Sequence, residues 1–316
     1  MKAQQITIPQ VGKAELREID VADPGPDEVQ VQCVINGICM YEVSMFAGVE
    51  PLLPAGSSYG HEGIGRITKL GGNVKGLREG DWVLCGPWVS VQNVPAAGVA
   101  TFSKPPDDPT LALAEPAWCV VIAAPHYEIS PGDRVLLMGA GYMGLLNVQM
   151  LAHYPLADLV VTDVKQANLD LAREFGATEI IRADTDEGRT RLEELKADPF
   201  DCVIEAAGVD ETLQAAADLT RVGGRLALFA WHHQPRTLNM TPWHLRGLKV
   251  LGTAPGIGTD SALDHARRAI RLLENGTFDQ TKLVTHRFRA ADAQEGMEVS
   301  TAREGGYIKG VFLFED

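Results

Sequence analysis

Residues 135–163 read VLLMGAGYMGLLNVQMLAHYPLADLVVTD, and this stretch decides the fold of the chain. An apolar run, Val135–Met138, leads directly into the turn GAGYMG (139–144), and a further apolar segment follows it. A second apolar run, Leu159–Thr162, ends at Asp163, nineteen positions after the last glycine of the turn. Strand, glycine-rich turn, helix and strand in this order predict a βαβ unit whose two strands pair in parallel.

The spacing of the glycines in residues 139–144 is typical of a dinucleotide-binding turn. Gly139 and Gly141 allow a tight turn and a close approach of backbone to a pyrophosphate, and Gly144 lets the helix pack on the strand. The helix N-terminus adds N–H groups and the positive end of the helix dipole. The residues predicted to bind the cofactor are Gly139, Gly141, Tyr142, Met143, Gly144 and Asp163.

The acidic residue at the end of the second strand favours one cofactor over another. A carboxylate at Asp163 accepts hydrogen bonds from the adenosine ribose hydroxyls and repels a 2′-phosphate, which favours NAD over NADP. Lys165 is a mild signal in the other direction, because a cation there tolerates the phosphate. A glycine-rich turn that binds no ligand is the alternative interpretation.

Outward from this unit, residues 130–275 alternate short apolar strands with helical segments such as Asn168–Phe175 and Glu211–Thr220. Such alternation predicts an α/β fold with a doubly wound parallel (Rossmann) sheet. The predicted strands are Val135–Met138, Leu159–Thr162, Glu179–Ile181, Cys202–Glu205, Arg225–Phe229 and Lys249–Gly252.

The flanking parts of the chain contain many segments whose sequence is typical of β-strands. Before residue 125, runs such as Glu28–Val34 and Gly65–Leu70 alternate with glycine and proline, and residues 29–33 alternate apolar with polar. After residue 276, strands at Lys282–Phe288 and Tyr307–Phe314 surround a helix near Ala290–Thr301. This tail has little to pack on alone, so we expect it to return to the first domain.

Composition excludes several classes of protein. The 316 residues are 45% hydrophobic and 22% charged, which is typical of a globular protein and not of a disordered or fibrous one. The 28 basic and 42 acidic residues leave a net charge of −14, which argues against nucleic-acid or anionic membrane partners. No apolar run suggests a membrane span or a secretion signal. Five cysteines without a CxxC motif argue against a disulfide framework, so we expect a cytoplasmic location.

Several short motifs occur in an order and spacing that resemble the medium-chain dehydrogenase/reductase superfamily. The similarity is to its zinc-dependent alcohol and polyol dehydrogenases, of the sorbitol and threonine dehydrogenase type. The motifs are Gly37-Ile38-Cys39, Gly60-His61-Glu62, Gly80-Asp81-Trp82-Val83, Glu115-Pro116 and the turn Gly139–Gly144.

This resemblance implies a GroES-like, β-rich catalytic domain formed by both chain ends, with the Rossmann domain inserted into it. We place the catalytic domain at residues 1–127 plus 277–316 and the NAD-binding domain at 128–276. The resemblance also implies a homodimer or homotetramer that acts on a small alcohol or ketone.

By the same resemblance, Cys39 and His61 match zinc ligands of the family. Glu62 matches an acid that binds the metal directly or in exchange with water, and Glu115 matches an acid at or next to the metal.

Zinc prefers sulfur, nitrogen and oxygen ligands in a tetrahedron, and a catalytic site keeps one position open. One thiolate and one carboxylate neutralise the ion. We therefore expect one glutamate to bind the metal and the other to hold the bound water, without a choice between them. The alternatives are a buried apolar cysteine, a hydrogen-bonded loop histidine and surface or capping glutamates.

The chain departs from the sequence motif of the family after Cys39. The family continues with Ser or Thr and then Asp, whereas this chain has Met40-Tyr41-Glu42. Tyr41 falls at the position of the relay hydroxyl and Ser44 at that of a second relay group, so both are candidates for proton transfer. A packed loop aromatic is the alternative for Tyr41.

The lobe that binds a structural zinc in the family needs four closely spaced cysteines. Cys85 is followed by GPWVSVQNVPAAGVATFSKPP, which contains no further cysteine. We therefore expect one catalytic zinc ion and no structural zinc.

Together the residues and the resemblance predict a zinc-assisted, NAD-linked oxidation of a secondary alcohol, with Cys39, Tyr41, Ser44, His61 and Glu62 in the catalytic site. The acidic site favours a hydroxyl-rich substrate such as a polyol, sugar or cyclitol. Two alternatives remain: a zinc-free, NADPH-dependent reductase of enones or quinones on the same fold, and a nucleotide-binding protein without catalysis.

The remaining histidines and tryptophans have no spacing typical of ligands. We expect surface or structural roles for most of them, with His232 as a weaker candidate for the pocket because it follows a strand at its carboxyl end. Trp88 and Trp118 are expected to pack in a core or interface more than to line a cleft. The other histidines in this group are His126, His153, His233 and His244.

Overall fold

The computed structural model describes residues 1–232, 234–254 and 262–314. The chain divides into two compact units, Met1–Trp118 with Asp260–Asp316 and Cys119–Thr259. Both ends of the chain therefore contribute to the first unit, and the second is one internal stretch. The domain bounds given by the sequence, 1–127 with 277–316 and 128–276, stay a prediction beside this division.

The strands of the described residues are β1 (Lys2–Gln10), β2 (Lys13–Asp20), β3 (Glu28–Gly37), β4 (Gly63–Leu70), β5 (Trp82–Cys85), β6 (Val91–Pro95), β7 (Arg134–Met138), β8 (Asp158–Asp163), β9 (Glu179–Arg182), β10 (Phe200–Glu205), β11 (Thr220–Leu228), β12 (Lys249–Gly252), β13 (Val284–Arg289) and β14 (Lys309–Leu313). The helices are α1 (Met40–Phe46), α2 (Ala114–Ala123), α3 (Tyr142–Leu151), α4 (Gln166–Glu174), α5 (Asp186–Leu195), α6 (Asp210–Leu219), α7 (Thr241–Leu245), α8 (Ala262–Glu274) and α9 (Ala293–Ala302). Within these residues, no helix combines the length and the apolar character needed to cross a membrane.

The first unit is built on a sheet in the order β13-β14-β3-β4-β5, with β6 also paired to β3 and with β1 and β2 as a separate antiparallel pair. Val29, Val31 and Cys33 of β3 are fully buried, as the alternation predicts. Gln30 is buried as well, because its amide nitrogen donates to the carbonyl of Ala22 and to Asn93 Oδ1, both at 3.1 Å. The last strand, β14, runs antiparallel to β3.

The second unit holds a parallel sheet in the order β12-β11-β10-β7-β8-β9. Successive strands run outward from β7 on one side and from β10 on the other, so the strand order reverses between these two strands. The helices that join the strands cover the sheet, and this is the doubly wound arrangement of a dinucleotide-binding fold. The predicted α/β fold class is confirmed.

The glycine turn after β7 is shaped by contacts that no other residue allows. Gly139 has φ +107°, and a Cβ there would lie 2.8 Å from the Ala207 backbone nitrogen. A Cβ at Gly144 would overlap the carbonyl oxygen of Gly139, which lies directly against the first turn of α3. Gly141 is the N-cap of α3, and a Cβ there would meet no atom within 4 Å. Two of the three glycines are therefore required by packing alone.

We expect Gly144→Ala to lower the free energy of unfolding by about 1–3 kcal/mol, because the added methyl group must displace the turn backbone. Gly252→Ala in β12 is the matched control, since a Cβ there would meet no atom within 4 Å. Its effect should stay within about 0.5 kcal/mol. Denaturant unfolding measures both values, and equal effects of the two substitutions would contradict the packing argument.

Candidate functional site

The candidate metal site lies where β3 ends and β4 begins. These strands are antiparallel and Asn36 pairs with Gly63, so the residues just after β3 lie beside those just before β4. Cys39 follows β3 as the N-cap of α1, and His61 and Glu62 directly precede β4. Strand pairing thus brings together motifs that are more than twenty residues apart in the chain.

The glycines of the two motifs make room for this site. A Cβ on Gly37 would overlap the carboxylate of Glu62, and a Cβ on Gly60 would overlap the ring of Trp88. Gly60 also has φ +86°, a left-handed conformation that favours glycine. Both glycines are therefore needed to seat His61 and Glu62.

Cys39 Sγ, a carboxylate oxygen of Glu42 and a ring nitrogen of His61 lie within 4.8 Å of one another. His61 Nδ1 is 3.0 Å from Glu42 Oε1, which also accepts a hydrogen bond of 3.1 Å from the Gly60 N–H. Glu42 is only 3% exposed. Its carboxylate therefore orients the imidazole through Nδ1 and leaves Nε2 as the nitrogen for a metal.

A second group shares His61. Ligand atoms of His61, Glu62 and Glu115 also lie within 4.8 Å of one another. Glu62 is 3% exposed, and Lys309 Nζ lies 2.8 Å from its Oε1 and 2.6 Å from its Oε2. The four predicted ligands therefore fall into two groups that share His61. One group contains Cys39, and the other contains Glu62 and Glu115.

Burial and close contacts shift the pKa values of this site. Burial raises the pKa of the Cys39 thiol, against the opposing effect of a hydrogen bond with His61. For His61, burial acts to lower the pKa, but hydrogen bonds with Cys39 and Glu42 outweigh it and raise the pKa to about 12. Burial also acts to lower the pKa of Lys309, yet attraction by the Glu62 and Cys39 side chains raises it. Lys309 therefore stays charged and neutralises Glu62.

These donors fit a zinc ion. Glu42 Oε2 is buried and has no hydrogen-bond partner among the residues that the structure describes. A buried carboxylate is unfavourable unless a cation or donors compensate it, and Lys309 already compensates Glu62. Sulfur, imidazole nitrogen and carboxylate oxygen are the ligand types that zinc prefers.

The two relay candidates both lie on α1. Tyr41 is 39% exposed, and the Ser44 hydroxyl donates to the Met40 carbonyl at 2.8 Å. The hydroxyl of Ser44 is thus used within its own helix. The relay roles of both residues stay a prediction.

Sequence reasoning missed two residues of this site. Glu42 takes the place of the family's aspartate, and its position three residues after Cys39 on α1 was a usable signal. Lys309 gave no such signal, because it reaches Glu62 only through the pairing of β14 with β3, 247 residues along the chain.

The predicted nucleotide-binding residues lie together at the carboxyl ends of β7 and β8. Asp163 Oδ2 accepts a hydrogen bond of 2.6 Å from the Ala140 N–H, and Oδ1 accepts one of 2.8 Å from the Lys165 N–H. The carboxylate is therefore fixed against the glycine turn. Tyr142 and Met143 form the first turn of α3, directly after Gly141.

The other residues considered from the sequence fall mainly into structural positions. Trp88 is fully buried, and its Nε1 donates to the Gly37 carbonyl at 3.0 Å. The indole nitrogen of Trp118 is buried without a hydrogen-bond partner in the described part of the chain. His126, His153 and His244 are exposed, and His233 lies outside the described residues.

Two family models match the chain. The model described as alcohol dehydrogenase GroES-like domain matches residues 25–104, and the one described as zinc-binding dehydrogenase matches residues 143–272. Both models match in the order in which the two units occur along the chain.

Individual proteins give the same result. The chain is 26% identical to L-idonate 5-dehydrogenase of Vitis vinifera over 91% of its own length and 88% of that protein. It is also 26% identical to sorbitol dehydrogenase of Ovis aries, over 92% and 90%. A putative zinc-binding dehydrogenase from Sinorhizobium meliloti, solved with NADP bound, has the same fold, with a TM-score of 0.85 and 20% identity over 99% of this chain and 100% of that one. The chain belongs to the zinc-dependent medium-chain dehydrogenase family and is an oxidoreductase of the alcohol dehydrogenase type.

We expect Glu42→Gln to weaken zinc binding by about 10- to 100-fold, because the carboxylate that orients His61 loses its charge. Competition with a chromophoric chelator measures the zinc dissociation constant. Glu79→Gln, at an exposed glutamate, is the control and should leave that constant unchanged. Equal zinc affinity in the two variants would show that Glu42 plays no part in metal binding.

Proposed function

We propose that this protein oxidises a secondary alcohol of a hydroxyl-rich substrate to a ketone, and catalyses the reverse reaction, with NAD as hydride acceptor and one zinc ion. The observation that carries this proposal is the group of Cys39, Glu42 and His61, of which Glu42 is buried, in a chain of this family. Both the L-idonate and the sorbitol dehydrogenases to which it is similar are named for polyhydroxylated substrates.

In this proposal, Cys39 Sγ, His61 Nε2 and one carboxylate, of Glu62 or Glu115, hold the zinc ion. The metal, when bound, acts as a Lewis acid that favours the alkoxide form of the substrate hydroxyl. Glu42 holds the imidazole in the orientation required for binding. Lys309 contacts both oxygens of Glu62, so a metal has to compete with this ammonium for the Glu62 carboxylate.

Proton transfer and substrate preference follow from the polar groups nearby. The Tyr41 hydroxyl, on an exposed side chain two residues after Cys39, is our first candidate to carry the proton to solvent. The glutamate that does not bind the metal accepts hydrogen bonds from hydroxyls or from bound water. Carboxylates close to the metal therefore favour a substrate with several hydroxyl groups over a simple alcohol.

The preference for NAD rests on Asp163. Its carboxylate is fixed by the Ala140 and Lys165 N–H groups, so it cannot easily turn away from a 2′-phosphate placed beside it. The Sinorhizobium meliloti structure binds NADP, which makes the comparison of the two cofactors the sharpest test of this point.

We expect Cys39→Ala to abolish zinc binding and to lower kcat/KM by at least about 100-fold, since the metal loses its thiolate ligand. Metal analysis and a screen of polyols, sugar acids, L-threonine and simple alcohols with NAD measure both effects. Cys202→Ala, at a buried thiol of the parallel sheet, is the control and should keep its zinc and its activity.

Full NAD-linked turnover by the metal-free protein would exclude the zinc mechanism and favour the zinc-free reductase. Binding of NAD without turnover on the whole panel would favour the nucleotide-binding protein. Zinc contents of Glu62→Gln and Glu115→Gln identify the carboxylate ligand.

We expect Asp163→Asn to lower the ratio of kcat/KM for NAD to that for NADP by about tenfold, because a neutral amide no longer repels the 2′-phosphate. Steady-state kinetics with each cofactor give the ratio. Asp170→Asn, on the exposed side of α4, is the matched control and should leave the ratio unchanged. An unchanged ratio in Asp163→Asn would mean that other residues select the cofactor.

A further inference from the structure

A buried carboxylate and an imidazole form a pair at the carboxyl end of the parallel sheet. Glu205 is the last residue of β10 and is fully buried. His232 follows the end of β11 by four residues, and its side chain is 15% exposed. His232 Nε2 lies 2.8 Å from Glu205 Oε2. The mechanism proposed above uses neither residue.

The other oxygen of Glu205 is fully occupied. Glu205 Oε1 accepts hydrogen bonds from the N–H groups of Ala207 and Gly208 at 3.0 and 2.8 Å, and the Thr212 hydroxyl lies 2.7 Å away. These contacts fix the carboxylate and leave Oε2 for His232. Because a carboxylate only accepts hydrogen bonds, His232 must carry a proton on Nε2.

The second ring nitrogen of His232 is left without a partner. Nδ1 is buried and makes no hydrogen bond with any residue that the structure describes. In the neutral ring with its proton on Nε2, Nδ1 is an acceptor. A buried acceptor without a donor is unfavourable, so the geometry calls for a ligand that supplies an N–H or O–H group.

The pair lies next to the glycine turn. Gly139 approaches the turn after β10 so closely that a Cβ would lie 2.8 Å from the Ala207 nitrogen, the same N–H that Glu205 binds. Arg236 holds this second turn as well, with its Nη2 2.7 Å from the Gly208 carbonyl. The two turns flank the point between β7 and β10 where the strand order reverses.

The position of this reversal defines which half of a dinucleotide meets His232. In a doubly wound sheet the pyrophosphate lies at the glycine turn and the dinucleotide crosses the sheet there. Asp163, on the β8 side, is the proposed partner of the adenosine ribose. The nicotinamide half must then extend over β10 and β11, where Glu205 and His232 lie.

We propose that His232 Nδ1 accepts a hydrogen bond from a donor on the nicotinamide half of NAD, either the carboxamide N–H or a hydroxyl of the nicotinamide ribose. Glu205 is a positioning residue that fixes the proton of the imidazole on Nε2. This assignment rests on the proposed cofactor. It gives the nucleotide-binding site a contact that only the nicotinamide half of the cofactor makes.

Glu205→Gln tests the role of the carboxylate with little change of shape. The contacts to Ala207, Gly208 and Thr212 keep the amide oxygen at the Oε1 position, so the amide nitrogen faces His232. Nε2 must then accept, the proton moves to Nδ1, and Nδ1 now presents a proton to the ligand donor. If the ligand donor is the carboxamide N–H, the variant should therefore bind NAD as poorly as His232→Phe does, whereas a ribose hydroxyl can turn and accept from Nδ1.

The proton position can be measured without any cofactor. Nitrogen-15 NMR of labelled protein near neutral pH should show His232 protonated on Nε2, and on Nδ1 in Glu205→Gln, with His232→Phe to identify the resonances. A doubly protonated ring in the unaltered protein, or the same tautomer in both proteins, would overturn the assignment.

Calorimetric titration tests the ligand. We expect His232→Phe to weaken NAD binding by about tenfold, Glu205→Gln to do the same when the donor is the carboxamide N–H, and both variants to leave AMP binding unchanged. His153→Phe, at an exposed histidine of the same unit, is the matched control and should change neither. Unchanged affinity for NAD in both variants, or an equal loss for NAD and AMP, would refute the proposal.

Two further probes identify the donor. ADP-ribose keeps the terminal ribose without nicotinamide, and 3-acetylpyridine adenine dinucleotide lacks the amide N–H. If the carboxamide is the donor, both probes bind the variants as well as the unaltered protein. If a ribose hydroxyl is the donor, both probes lose affinity for His232→Phe as NAD does, whereas Glu205→Gln keeps its affinity, because a hydroxyl can turn and accept from Nδ1. Failure of the unaltered protein to bind NAD would contradict the proposed cofactor itself, whereas normal binding with a wrong tautomer would contradict only the role of His232.

Discussion

Lys309 Nζ lies within 2.8 Å of both carboxylate oxygens of Glu62, and both side chains are almost completely removed from water. A buried carboxylate persists only when a charge or several donors compensate it. This contact stabilises the charge of Glu62 beside His61 and Glu115. It does not prevent a second cation from binding at the candidate metal site. The Lys309 ammonium also donates to the Ile38 carbonyl at 3.0 Å, directly before Cys39, so one cation holds both motifs in place.

Much of the fold is predictable because its signals are local. Gly144 has to satisfy a contact with Gly139 only five residues away, and the overlap that a Cβ at Gly144 would cause is a requirement visible in the spacing itself. Strands such as Val135–Met138 are short apolar runs between turn residues, and the structure has β7 at almost the same bounds. The pairing of β14 with β3 joins strands that are far apart in the sequence. The position of Lys309 could therefore not be predicted from the residues that neighbour it in the chain.

The candidate sites show the same division between local and distant information. Short motifs predict Cys39 and His61 as metal ligands, and strand pairing explains why those motifs meet. The protonation of His232 depends on which oxygen of Glu205 is already occupied, and that requires the positions of Ala207, Gly208 and Thr212. A sequence indicates that a histidine follows a strand, but only coordinates show which of its nitrogens has no partner.

The pairing of β14 with β3 also affects the order in which the protein can mature on the ribosome. Residues 119–259 form an uninterrupted unit, so their parallel sheet can close during synthesis, since domains generally fold as units in the order in which they are made. The sheet around β3 is complete only after a strand that is translated some 270 residues later, with Lys309 at its start. Until then Glu62 lacks its counter-charge, and the nascent chain can carry a formed nucleotide-binding fold about 50 residues before Lys309 is made.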